Sequence, residues 1–174
     1  MIETPRLNLI PLTLVQLETS INSPAELAAQ LGFPLAKDLF AGVATRAVRM
    51  KIEKMKNADP VFHPWFTYWL IVIQKEQLGA GLVGFKGIPD SQGAVEIGYG
   101  IDESQRGKGY MSEAVHALIQ WAFEKPGCQA VTATGVLRNN IASQRVLMHC
   151  GFELAGGTPE GLNFKLKNIK TSDL

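Results

Sequence analysis

With 174 residues, 46% of them hydrophobic, the chain can bury one sizeable core and leaves little room for a second domain. A formal net charge of +1 provides no broad field for nucleic acid or an acidic membrane surface, so neither is expected as a partner. Two cysteines, Cys128 and Cys150, are too few for a disulfide framework and lack zinc-ligand spacing, and the most apolar run, residues 69–73, is far too short to span a bilayer; these features describe a cytoplasmic protein with packed, reduced thiols and no metal.

Residues 6–12 alternate as a first strand, which Pro11 places at a sheet edge or brings to its end. Ser23-Pro24-Ala25-Glu26 reads as a helix start: Ser23 caps, Pro24 fits the first helical position, Glu26 completes a capping box, and Gly32 supplies the stop. A second helix covers residues 44–57, with Val48, Ile52 and Met55 as its inner stripe. Asp59-Pro60 and His63-Pro64 punctuate the chain before a strand rich in aromatic and β-branched residues over 65–74. Residues 78–88 form its hairpin partner, residues 89–93 a turn, and residues 95–101 the fourth strand. A central helix over 109–123 stops near Pro126-Gly127. A fifth strand at 130–136, a helix at 141–149 closed by Gly151, and a hairpin over 152–166 follow. Strands that meander before the central helix, with a βαβα unit after it, predict an α/β domain with a mixed sheet.

Two patterns look functional and are set aside. Gly79-Ala80-Gly81-Leu82-Val83-Gly84 matches the dinucleotide fingerprint, but residues 85–89 continue as strand and then break, so no helix can begin inside it. His63, His116 and His149 show no metal-ligand spacing, and Trp65, Phe66, Tyr68 and Trp69 read as core.

The most informative stretch runs from Val95 to Ala114. Val95, Ile97, Tyr99 and Ile101 alternate as a strand; Ala114, Leu118, Trp121 and Ala122 recur at helical spacing. Between them, glycines at 107 and 109 let backbone N–H groups converge on a phosphate, the following helix adds its partial positive charge, and Arg106 and Lys108 supply full charges. The segment resembles motif A of the GNAT acyl-CoA N-acyltransferases, matched at Arg106, Gly109 and, where the family usually has a small residue, Met111. Asn140, Ser143, Leu147, Gly151 and Phe152 fit the family's second signature in order and spacing. Thr4-Pro5-Arg6-Leu7-Asn8-Leu9 is similar to the opening strand of the ribosomal-protein-alanine N-acetyltransferase branch.

The resemblance implies a single-domain GNAT fold over residues 1–170, with a mixed central sheet of about six to seven strands, splayed fourth and fifth strands, and about four flanking helices. It implies acetyl-CoA as co-substrate and a primary amine as acceptor, either a protein N-terminal α-amine or a small-molecule amine, attacking directly in a ternary complex. Tyr99, Gly100 and Ile101 would flank the pantetheine arm, with a strand N–H on the thioester carbonyl. Arg106, Gly107, Lys108, Gly109, Tyr110 and Met111 would meet the pyrophosphate, and Asn140 would bind the cofactor or cap its helix. Glu96, on the strand leading into the loop, is the candidate base, the alternative being a paired strand glutamate. Glu113 in the first helical turn suits the helix dipole. Many family members protonate the leaving thiolate with a helix tyrosine, where this chain has Leu147; Ser143, one turn earlier, resembles the serine proposed for that role in the ribosomal-protein branch. The missing tyrosine keeps a second function open, an acyl-CoA-binding module without catalysis. A homodimer through the sheet edge or the aromatic strand is compatible with the pattern and not specified by it.

Overall fold

The computed structural model describes residues 1–169, so the expected domain limit at 170 lies just outside the described residues. Among these, eight strands form one sheet in the order β1 (Ile2–Glu3), β2 (Leu7–Pro11), β3 (Trp69–Ile73), β4 (Leu78–Phe85), β5 (Ala94–Ile101), β6 (Ala130–Leu137), β8 (Gly161–Lys167), β7 (Glu153–Gly157). Six α-helices accompany them: α1 (Leu14–Asn22), α2 (Pro24–Leu31), α3 (Val43–Lys56), α4 (His63–Phe66), α5 (Tyr110–Phe123) and α6 (Ile141–His149). Neighbouring strands are antiparallel except β5 and β6, which run parallel because α5 carries the chain back across the sheet.

The α/β class and the mixed sheet are as expected, and the counts need correcting. The added strand is the two-residue β1, too short to carry a periodic signal. One added helix, α1, opens with a capping box: Thr13 Oγ1 accepts from the Gln16 N–H at 3.2 Å, and Gln16 Oε1 accepts from the Thr13 N–H at 2.9 Å. The other, α4, replaces the start of the strand expected from residue 65, which begins instead at Trp69. Pro64 lies in the first turn of α4, and the turn delivers Trp65 into an aromatic cluster, 4.8 Å from Trp121 and 5.2 Å from Phe85 between ring centroids. Packing with residues distant in sequence overrode local strand propensity here. At α2, Ser23 Oγ accepts from the Glu26 N–H at 3.4 Å and Gly32 closes the helix at φ +80°, while the Glu26 carboxylate takes a hydrogen bond from Gln30.

Each sheet face has its own core. Helices α5 and α6 cover one, burying Val115, Leu118 and Leu147 on Val95 and Ile97. Helices α1 to α3 cover the other, where the expected stripe of Val48, Ile52 and Met55 meets Leu70 and Leu82. The glycines of the apparent dinucleotide motif all fall within β4, where a side chain at Gly81 would start 2.8 Å from the Gly100 carbonyl oxygen and one at Gly84 2.6 Å from that of Thr67. They are there for close backbone packing.

Lys51 of α3 is only 7% exposed, and its Nζ donates to the carbonyls of Phe85 at 2.6 Å and Phe66 at 3.2 Å, 4.3 Å from the Tyr68 ring centroid. Burial first, then the charges of Lys54 and Lys86, lowers its pKa from 10.5 to about 7. Below pH 7 the ammonium is charged in both folded and unfolded chains and the burial cost is felt in full. Between pH 7 and 10.5 the unfolded chain holds a proton that the folded one has shed, so folding stability rises with pH across that window. Denaturant unfolding at pH 6 and pH 9 should therefore show wild type gaining about 2 kcal/mol relative to Lys51→Met. Parallel pH dependence in the two proteins would contradict the buried ammonium.

Candidate active site

Strands β5 and β6 pair at three positions, Ala94 with Ala130, Val95 with Val131 and Glu96 with Thr132, although β5 runs on to Ile101 and β6 to Leu137. Beyond Glu96 the strands diverge, the splay the sequence led us to expect. Glu96 and Asp102 both engage β4, through Lys86 N–H to the Glu96 carbonyl at 2.8 Å and Asp102 N–H to the Ala80 carbonyl at 2.8 Å. Strand alternation then turns Gly98 and Gly100 to β4 and aims the N–H groups of Tyr99 and Ile101 into the gap. The gap opens into a cleft of about 1280 Å³ between the starts of α5 and α6. Tyr99, Gly100, Ile101, Arg106, Gly107, Gly109, Tyr110, Met111, Asn140 and Ser143 all line it.

One end of the cleft has a backbone geometry able to cradle an anion. Gly107 and Gly109 adopt φ of +74° and +80°, a region that favours glycine. Gly109 caps α5 with no side-chain hydrogen bond, leaving the N–H groups of the first turn aimed at whatever occupies the cleft. Met111 is 7% exposed and packs into the α5 core, so its bulk does not crowd the loop. Lys108 sits apart from the lining. Its Nζ donates to Gln105 Oε1 at 2.7 Å, and Gln105 Nε2 in turn donates to Glu76 Oε2 at 3.0 Å, so the lysine braces the loop from behind.

Arg6, read in the sequence only as part of the opening-strand pattern, also lines the cleft. Its guanidinium pairs with Glu113 at 2.6 Å, donates to the Lys108 carbonyl at 2.9 Å, and lies 4.7 Å from the Tyr110 ring centroid, at the lip of the cleft. Thr4 Oγ1 donates to the other Glu113 oxygen at 2.6 Å. Burial works to raise the Glu113 pKa, but the hydrogen bonds from Thr4 and Arg6 outweigh it and hold the carboxyl below its ordinary value. Glu113 thus anchors the turn between β1 and β2 to the glycine loop before α5, beyond any service to the helix dipole. The opening Thr-x-Arg-Leu pattern marked the position but not its partner.

At the far end, Asn140 Oδ1 accepts from the Ser143 N–H at 3.1 Å, so Asn140 caps α6 while also facing the cleft. The Tyr99 hydroxyl lies 2.9 Å from Ser143 Oγ and 3.2 Å from the Ser143 carbonyl oxygen. Burial pushes the Tyr99 phenol up to about 12, with the Ser143 hydrogen bond acting against it. Leu147 is fully buried in the core and cannot reach the cleft. Cys150, a free thiol on the cleft wall, is pushed by burial up to about 11 and stays protonated at neutral pH.

Glu96 lies outside the cleft lining. Val95 and Ile97 face the α5 core, so Glu96 projects from the opposite face. There it accepts from Thr134 Oγ1 at 2.7 Å and pairs with Lys86 Nζ. Beside it, positions 98 and 100 have open space where a side chain would begin. The splay is thus reached from two sides: the anion cradle on one, and bare glycine backbone next to a carboxylate on the other. Among the described residues there is no cluster fit to hold a metal ion, and no helix is long and apolar enough to cross a membrane.

The family profile described as acetyltransferase (GNAT) domain matches residues 6–153. YjdG, an uncharacterized N-acetyltransferase of Bacillus subtilis, is 29% identical over 160 residues, covering 88% of this chain and 90% of that protein. The ribosomal-protein-S5-alanine acetyltransferase of Vibrio fischeri superposes with a TM-score of 0.64 at 22% identity, covering 96% of both chains. The ribosomal L7/L12 alpha-N-protein acetyltransferase RimL, in complex with coenzyme A, superposes with a TM-score of 0.64 at 21% identity over 94% of this chain and 95% of that one. At such identities the two solved structures speak for the fold alone.

Removing Arg6 takes a full charge from the cradle and releases the Glu113 carboxylate toward it. Arg6→Ala should weaken coenzyme A binding about tenfold by calorimetry. Unchanged affinity would show that Arg6 does no more than fasten the strand.

Proposed function

Because the chain belongs to the GNAT acetyltransferase family and is an N-acetyltransferase, we propose that it moves an acetyl group from acetyl-CoA to a primary amine by direct attack in a ternary complex. The observation that carries this is the splay of β5 and β6 beside an uncapped, glycine-led helix start, with an approach from either face. The cradle chemistry suits a pyrophosphate, and acetyl-CoA supplies a thioester whose sulfur is an adequate leaving group.

In this reading the N–H groups from Gly107 to Met111, with Arg106 and Arg6, hold the diphosphate. The Tyr99 or Ile101 N–H polarises the thioester carbonyl, worth about 3 kcal/mol in the transition state. The amine arrives over Gly98 and Gly100. Glu96 takes its surplus proton directly or through water, and Ser143 donates to the departing sulfur. Another solved structure that superposes with a TM-score of 0.63 is a spermidine N-acetyltransferase chimera, while the two described above are named for protein acceptors, one of them for an α-amine. A physical argument points the same way. An α-amine has a pKa of about 8 and needs little help at neutral pH, whereas a lysine at about 10.4 needs a committed base, and Glu96 is engaged by Lys86. We therefore favour a protein N-terminal α-amine, with a small-molecule amine of similar basicity as the second acceptor class. A cytoplasmic setting, in keeping with two unpaired cysteines, belongs to the same reading.

Acetyl-CoA at a hundred times its dissociation constant should stabilise the protein by about 2.7 kcal/mol, a shift of a few degrees in thermal unfolding. Gly109→Asp should abolish the shift, because the substitution strains a φ of +80° and places a carboxylate in the anion cradle. Absence of any shift in wild type at millimolar acetyl-CoA would defeat the proposal.

A further inference from the structure

The helix position that carries a tyrosine in many GNAT enzymes is here Leu147, sealed in the core. A phenol nevertheless reaches the same end of the cleft from strand β5. The Tyr99 hydroxyl sits 2.9 Å from Ser143 Oγ, and both side chains line the cleft. The Ser143 main chain is fixed by its N–H bond to Asn140 Oδ1 at 3.1 Å, which holds the serine hydroxyl within reach of the phenol. A phenol has one hydrogen to give. It has two acceptors in reach, the Ser143 carbonyl oxygen at 3.2 Å, which would leave the serine hydroxyl to donate back to the phenol, and Ser143 Oγ at 2.9 Å. On Oγ, the shorter contact, it frees the serine hydrogen to face the cleft, whereas without the phenol that hydrogen is free to turn back along α6, toward the carbonyls of the preceding turn.

We propose that Tyr99 is the positioning residue that makes Ser143 a proton donor to the departing thiolate, a role that rests on the N-acetyltransferase reading above. As the C–N bond forms and the C–S bond breaks, the electron pair leaves on sulfur. Ser143 Oγ passes its hydrogen to that sulfur and takes the phenol hydrogen in the same motion. The resulting phenolate is refilled, through water, by the proton that Glu96 has taken from the new ammonium centre, so Glu96 ends as it began and one amine hydrogen ends on the thiol. The direction is favourable overall: a free α-ammonium has a pKa of about 8, the acylated nitrogen is a stronger acid still, and its proton readily refills a phenolate whose conjugate acid lies at about 12. The same high value keeps Tyr99 a donor throughout the pH range in which an amine acceptor is reactive.

Tyr99→Phe keeps the ring and removes only the hydroxyl. It should lower kcat about tenfold or more while leaving KM for acetyl-CoA and the thermal midpoint near wild type. A Tyr99→Phe/Ser143→Ala double variant should be no worse than Ser143→Ala alone, since both act on one transfer. A second readout needs no turnover. The thiol of bound coenzyme A, titrated by the ultraviolet absorbance of its thiolate, should ionise about one pH unit higher in Tyr99→Phe than in wild type, because the thiolate loses a donor. Unchanged kcat with an unchanged thiol titration would overturn the inference and leave the acetyltransferase reading standing. If wild type bound coenzyme A yet acetylated no amine, that reading would fail instead, and the thiol titration alone would decide: a shift supports the Tyr99 role, and none overturns it.

Discussion

Strands β5 and β6 stay paired for three residues and then part, and the rest of the molecule is arranged around that divergence. Unpaired backbone donors in a protein interior are costly, so a strand edge left open over several residues signals a ligand or ordered water as the missing partner. The parallel pairing is set by the crossover through α5, and the same crossover brings the start of α5 to the end of β5. A strand with unused N–H groups and a helix with unused N–H groups therefore meet at one place. On the other side of the gap, β6 shifts register between Ala133 and Val136, with the Gly135 N–H held by Asn163 Oδ1 at 2.9 Å. The shift leaves an extra residue on β6, a bulge that bends the strand locally just past its last pairing with β5.

The opening is kept in shape by contacts that span the chain. Arg6 and Glu113 fasten the sheet edge to the glycine loop before α5; Tyr99 and Ser143 link β5 to α6. Glu96 ties Lys86 of the strand-end turn to Thr134 of β6 at the last paired position before the split. Were Glu96 to act as the base proposed above, its engagement by an ammonium would suit an acceptor that is close to neutral on its own. Lys51 is the opposite case, a buried amine whose hydrogen bonds go to neutral carbonyls, and the fold bears its cost chiefly below neutral pH.

Local patterns carried much of this architecture. The strand, glycine turn and helix around Arg106 were legible because alternation, backbone freedom and helical spacing are all short-range signals. The α3 stripe was legible for the same reason, and the glycines of β4 were recognised as strand residues because no helix could follow them. Helix α1 was missed despite a Thr13-x-x-Gln16 box, since its nine residues run directly into the next start signal. Helix α4 was missed because the packing of Trp65 on Trp121 joins residues far apart in sequence. The pairs that shape the cleft have the same character: Arg6 with Glu113 and Tyr99 with Ser143 leave no local signature, so Arg6 was noticed only as part of a branch pattern and Tyr99 only for its backbone. Lys108 belongs to the motif and lies outside the cleft lining, its ammonium donating to Gln105.

The measurement closest to the centre of this account is the infrared carbonyl stretch of isotope-labelled acetyl-CoA bound to the protein. If the N–H of Tyr99 or Ile101 waits in the gap between β5 and β6, the bound thioester carbonyl should absorb at a clearly lower frequency than free in water, with a narrowed band that reports a single fixed donor. A bound carbonyl with the frequency and width of the free thioester would mean that the open strands do not hold the reacting group, and would contradict the account at its base.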